Sequence, residues 1–186
     1  EPAGDWPRDH DLLASAASAG QSPEQVAPLR FGPPVSPHYA AEQAGEPIEP
    51  LALANDARAA GEGADVLVCE GVGGLLVPLS PGYLVRDLAL DVDLPLLVAA
   101  RPGLGTISHT LLTVEAARTG GLDVAAVVIT PWPEDPDGIH RSNRDTIESL
   151  GNVRVCGLPW TTPDSLAQAG AALPLDELLD SDGADP

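Results

Sequence analysis

The 186-residue sequence contains no lysine. Its positively charged side chains are nine arginines, set against 28 acids, for a net charge of −19. Such a surface repels phosphate backbones, which excludes nucleic acid and anionic membranes as partners. It also limits how a bound phosphate could be held, because positive potential would have to come from metal ions, helix N-termini and backbone N–H groups. A uniform composition bias against lysine accounts for the same number without any function. Long apolar runs are absent too. No stretch approaches the ~20 residues that cross a bilayer, and no basic segment followed by an apolar one opens the chain, which predicts a soluble, cytoplasmic protein. Cysteine is scarce, with Cys69 and Cys156 each inside an apparent strand, so reduced, buried thiols are expected rather than a disulfide framework or a metal site. No internal repeat is found.

The residues present are those of a globular chain, 44% hydrophobic, with 20 prolines and 19 glycines dispersed as turns and caps. Periodicity and punctuation predict helices over Asp9–Ala17, Tyr39–Ala44 (closed by Gly45), Pro50–Ala60, Tyr83–Leu90, Thr106–Thr119 (closed by Gly120-Gly121) and Gly138–Leu150. Strands are expected at Pro28–Phe31, Val66–Cys69, Pro95–Ala100, Asp123–Thr130 and Val153–Pro159, with a brief extended segment over Leu75–Leu79. Strands alternating with helices imply an α/β fold, a parallel sheet flanked by helices. Residues 1–175 read as a single domain. Residues 176–186 read as a frayed helix and acidic tail.

Candidate chemistry centres on Asp65-Val66-Leu67-Val68-Cys69-Glu70-Gly71-Val72-Gly73-Gly74. An apolar strand ending on a carboxylate and a glycine-rich turn would present Glu70 to the crevice beyond the strand ends, where ligands bind in open α/β sheets. An ordinary strand-terminal acid and tight turn read equally well. Asp11 reads first as an acid in a helix's first turn, favoured by the helix dipole. His38 reads as a loop histidine, and Trp132 and Trp160 as packing aromatics.

Several segments together carry a resemblance. Cys69 to Leu79, Leu104-Gly105-Thr106-Ile107-Ser108-His109-Thr110-Leu111-Leu112-Thr113, Trp132-Pro133, Gly157-Leu158-Pro159 and Ser36-Pro37-His38 resemble, in order, the motifs of the ATP-dependent dethiobiotin synthetase family. The likeness runs from Asp11 to about Leu173. It implies a P-loop NTPase-like fold and an ATP-dependent cyclo-ligase of biotin biosynthesis. That reaction closes the ureido ring of dethiobiotin from diaminopelargonate, CO2 and ATP through a phosphorylated carbamate. By the same resemblance, Asp11 and Glu70 are ligands for Mg2+ beside the ATP phosphates. Gly71, Val72 and Gly73 offer backbone to phosphate or carbamate. Thr130, Pro131, Pro159, Trp160, Thr161 and Asp164 line the adenine and ribose pocket. Gly105, Thr106, Ile107 and Ser108 hold the substrate carboxylate at a helix N-terminus, in a homodimer.

The pattern also departs from the family. Its opening strand, Gly-x-x-x-x-x-Gly-Lys-Thr-like P-loop and helix find no match, so the first βα unit is expected to be missing and this chain alone to bind ATP poorly or be inactive. Ser108 stands where many relatives carry asparagine. Two alternatives follow, an inactive, P-loop-less partner subunit or another superfamily synthase of the cobyrinate type. The latter predicts a downstream glutaminase domain, for which residues 176–186 leave no room.

Overall fold

The computed structural model describes residues 6–32 and 34–179. Its chain divides into two compact units, Glu1–Val92 and Asp93–Pro186.

The first unit is built from short helices and small side chains. Helix α1 spans Asp9–Ala16, α2 Pro23–Val26, α3 Pro37–Ala44 and α4 Pro50–Ala60. Helix α2 occurs where no helix was expected, because Ser22 and Gln25 cap each other's backbone and Pro23 supplies a preset φ. The strand expected at Pro28–Phe31 does not form, and none of the described residues pairs with that segment. Gly45, at φ 69°, ends α3 by donating its N–H to the carbonyls of Ala41 and Glu42. Two strands, β1 (Pro78–Ser80) and β2 (Tyr83–Leu84), pair antiparallel around Gly82, and α5 follows over Val85–Val92. The helix starts two residues later than the periodicity suggests, because the Asp87 carboxylate accepts the Leu84 N–H at 2.8 Å and sets the entry to its first turn. Ala40, Ala41, Ile48, Ala54, Leu79 and Val85 are the unit's buried apolar residues.

One expectation fails outright here. Val66–Cys69 is not a strand: residues 66–70 are irregular, and Val66 and Val68 are 46% and 81% exposed. Four apolar residues in a row have the composition of a buried strand, but a strand exists only with a hydrogen-bonded neighbour, and none of the described residues supplies one. Cys69 is consequently exposed rather than buried, and both cysteines are free.

The second unit follows the expected alternation. Strand β3 covers Leu96–Ala100, α6 Thr106–Thr119, β4 Val124–Trp132, α7 Gly138–Gly151 and β5 Val155–Pro159. A 3-10 turn, Pro163–Ser165, leads to α8 (Leu166–Gly170) and α9 (Leu175–Leu179); residues 180–186 of the expected tail lie outside the described residues. The sheet is parallel with order β3-β4-β5. Its central strand forms the core, with Ala126 and Val127 wholly buried and Ile129 at 1% exposure. The β-branched run Val127-Val128-Ile129 suits a strand covered on both faces. Arg118 of α6 donates to the carbonyls of Gly151 and Asn152, satisfying acceptors left open where α7 ends.

Candidate functional site

In the first unit, Asp11 lies in the first turn of α1 and Glu70 just before the glycine turn, both exposed. His10 Nε2 stands 3.8 Å from Asp11 Oδ1. Glu70 takes part in no hydrogen bond or ion pair among the described residues, and neither acid is paired with an arginine. No bond links the two acids. Among the described residues, no three His, Cys, Asp or Glu side chains gather to hold a metal. Free carboxylate oxygens are nevertheless the donors Mg2+ prefers, since that ion is held by one or two carboxylates with phosphate oxygens and water completing its shell.

The turn after Glu70 requires its glycines. A Cβ on Gly71 would lie 2.6 Å from Val85 Cγ1, and one on Gly73, whose φ is 83°, would lie 2.9 Å from Val77 Cγ2. The backbone is fastened just downstream: Arg86 N–H donates to the Leu75 carbonyl at 2.9 Å, and Val85 N–H to that of Val77 at 3.0 Å. Gly71, Val72 and Gly73 are all exposed. His38 is the second residue of α3, and its Nδ1 is buried without a partner.

In the second unit, parallel pairing puts the carboxyl ends of β3, β4 and β5 at one edge of the sheet. Beyond β3, Gly103 (φ 112°) and Gly105 (φ 90°) turn the chain into α6. No side chain caps that helix, leaving first-turn N–H groups of Ile107 and Ser108 as donors. Thr106 is 6% exposed and its hydroxyl has no hydrogen-bond partner. An uncapped N-terminus of this kind suits a carboxylate or phosphate. Near the carboxyl end of β4 stand Thr130 and Pro131, joined by a cis peptide bond. Beyond β5, Trp160 is 57% exposed and Thr161 half-buried, and Asp164 lies exposed in the 3-10 turn. The register opposes Trp132 to Pro159, so Thr130-Pro131 and Pro159-Trp160 end neighbouring strands.

Three side chains near this edge were not singled out from the sequence. Asp137 caps α7 by accepting the N–H groups of Ile139 and His140 at 2.9 Å each, and its carboxylate is held below the usual range by the His140 backbone bond, its ring and the Ile139 N–H. His140 meets the Trp132 ring edge-on at 6.0 Å between centroids, and the Arg144 guanidinium lies 6.0 Å over the same ring. The one available signal was an Asp immediately before a helix.

Residues 4–163 match a family model described as an AAA domain. A protein of Anaeromyxobacter dehalogenans (strain 2CP-1), named ATP-dependent dethiobiotin synthetase BioD, is 37% identical over 164 residues, 88% of this chain and 73% of that protein. The chain belongs to the dethiobiotin synthetase family. Synthetases so named from Bacillus subtilis (strain 168) and Rhodococcus erythropolis (strain PR4) are 33% and 40% identical over 151 and 152 residues, or 81% and 80% of this chain. Across the three, the chain spans 63–73% of the relatives' length. The parallel sheet flanked by helices is that of a P-loop NTPase-like α/β fold, as the family implies. No helix among the described residues is long and apolar enough to cross a membrane.

Proposed function

We propose that this dethiobiotin synthetase family member acts in biotin synthesis as an ATP-dependent ligase, closing the ureido ring of dethiobiotin from diaminopelargonate, CO2 and ATP through a phosphorylated carbamate. The identity to proteins bearing that name, 37% over 88% of this chain in one case and 40% over 80% in another, carries the reading. Asp11 and Glu70 hold Mg2+, which when bound neutralises phosphate charge during transfer. In a chain without lysine, backbone N–H groups of Gly71, Val72 and Gly73 supply the rest of the phosphate site. Thr130, Pro131, Pro159, Trp160, Thr161 and Asp164 receive adenine and ribose. The first turn of α6, from Gly105 to Ser108, takes the substrate carboxylate. Residues 1–175 act as one domain with 176–186 as an acidic tail, in a cytoplasmic homodimer.

The test is isothermal titration of the chain with Mg–ATP, then with diaminopelargonate and bicarbonate, alongside an assay for dethiobiotin. Saturable ATP binding and product formation support the ligase. Titrations without heat in either case defeat it.

A second reading, a partner subunit that pairs with a complete relative, is favoured by the exposure of Val66 and Val68. Co-expression with the Bacillus subtilis relative would then yield a stable heteromer; separate elution of the two on size exclusion argues against it.

A further inference from the structure

Trp132 occupies a specific place at the sheet edge. It ends β4, immediately after Thr130-Pro131, and its backbone opposes Pro159 of β5. The ring lies against the β5 backbone at Gly157, where an added Cβ would meet Trp132 Cγ at 2.6 Å and Cδ1 at 2.9 Å. Residues of α7 hold it from their side: His140 edge-on with planes 83° apart, and Arg144 over the ring. His140 Nδ1 in turn sits 2.7 Å from Asp137 Oδ1, the carboxylate that caps α7, and Arg144 Nη2 lies 3.0 Å from Asp145 Oδ1. Each partner of the indole thus has a carboxylate contact of its own. The indole is therefore wedged between a strand with no side chain at the contact point and a helix anchored at its first turn.

We propose that Trp132 is the positioning residue of a purine-nucleotide pocket: wedged between Gly157 and α7, it fixes the spacing between Thr130-Pro131 and Pro159-Trp160 and thereby sets which base the edge accepts. The assignment rests on the nucleotide reading given above. Trp132 acts through the two backbone segments and does not itself touch the base. Gly157 is required because any side chain there displaces the ring.

Amide NMR of the 186-residue chain titrated with Mg–ATP and, separately, Mg–GTP tests this. In the unsubstituted protein, Thr130 and Thr161 shift saturably with a preference for ATP. Trp132→Leu weakens ATP binding about tenfold and draws the ATP/GTP ratio toward one, and Trp132→Phe recovers most of both, because a rigid planar ring keeps the spacing. Gly157→Ala and His140→Ala give the same direction more weakly and serve if the leucine variant does not fold. Folded variants with unchanged ATP affinity and ATP/GTP ratio overturn the assignment while leaving the nucleotide reading intact. If the unsubstituted protein shows no saturable shift with either nucleotide, the nucleotide reading falls and the assignment falls with it.

Discussion

Val85 Cγ1 stands 2.6 Å from the point where a Cβ on Gly71 would lie. Val85 is a buried residue opening α5, so the turn that follows Glu70 is pressed against the start of a helix. Gly71→Ala must move either that backbone or a packed side chain, and is expected to cost about 1–3 kcal/mol in denaturant unfolding. Gly71→Ala combined with Val85→Ala should cost less than the two single changes added together. Additivity would show that the two positions do not press on each other.

Tyr83 donates its hydroxyl to the Asp91 carboxylate at 2.6 Å, closing β2 onto the end of α5. Burial, then this hydrogen bond, then the charges of Asp91 and Asp87 push the phenol above its ordinary range. A phenol that holds its proton more tightly when folded contributes stability in full below the unfolded pKa of about 10 and loses it as pH rises beyond. Tyr83→Phe should therefore be less stable by about 1 kcal/mol at neutral pH, with the gap narrowing in strong alkali. Chemical denaturation across that range checks it, and a constant gap would contradict it.

Asp137 titrates with the opposite sign. Its carboxylate is depressed by the bonds that cap α7, so its contribution is full above the unfolded aspartate value and lost as pH falls through the folded one. Asp137→Asn retains a capping oxygen and should flatten the acid side of the stability profile, whereas Asp137→Ala lowers stability at neutral pH as well. Thermal melts of the three proteins from neutral to acidic pH distinguish these outcomes.

If Asp11 and Glu70 share a magnesium ion, Asp11→Asn and Glu70→Gln should each weaken ATP binding about tenfold in Mg2+ and change little in EDTA. Both residues are exposed, so the folded protein should melt as before. Equal effects with and without the metal would assign these acids a different role.

How much was legible in advance follows how local each signal is. Helix α4 was read residue for residue, and α3 and α6 end where Gly45 and Gly120 stop them, since propensity, proline starts and glycine caps act within one turn. The strands of the second unit were readable because each is apolar and finds its partners one helix away. Val66–Cys69 carries the same composition, but whether it becomes a strand depends on a neighbour that composition cannot specify. The site shows the same division. The candidate residues of the second unit were named from their likeness to family motifs, and the parallel sheet brings the strand ends that carry them to one edge. The clasp of His140 and Arg144 on Trp132 could not be picked out, since it joins side chains of two elements, β4 and α7, that meet only in the folded unit.

The strands β3, β4 and β5 stand side by side in the order in which they occur along the chain. Each ladder thus closes over a single intervening helix, and the entropy lost in bringing its two halves together is modest. Growth of this sheet can start at its middle strand and recruit either flank first. Neither addition waits on a distant stretch of polypeptide, so the pairings of this sheet are as local as parallel strands allow.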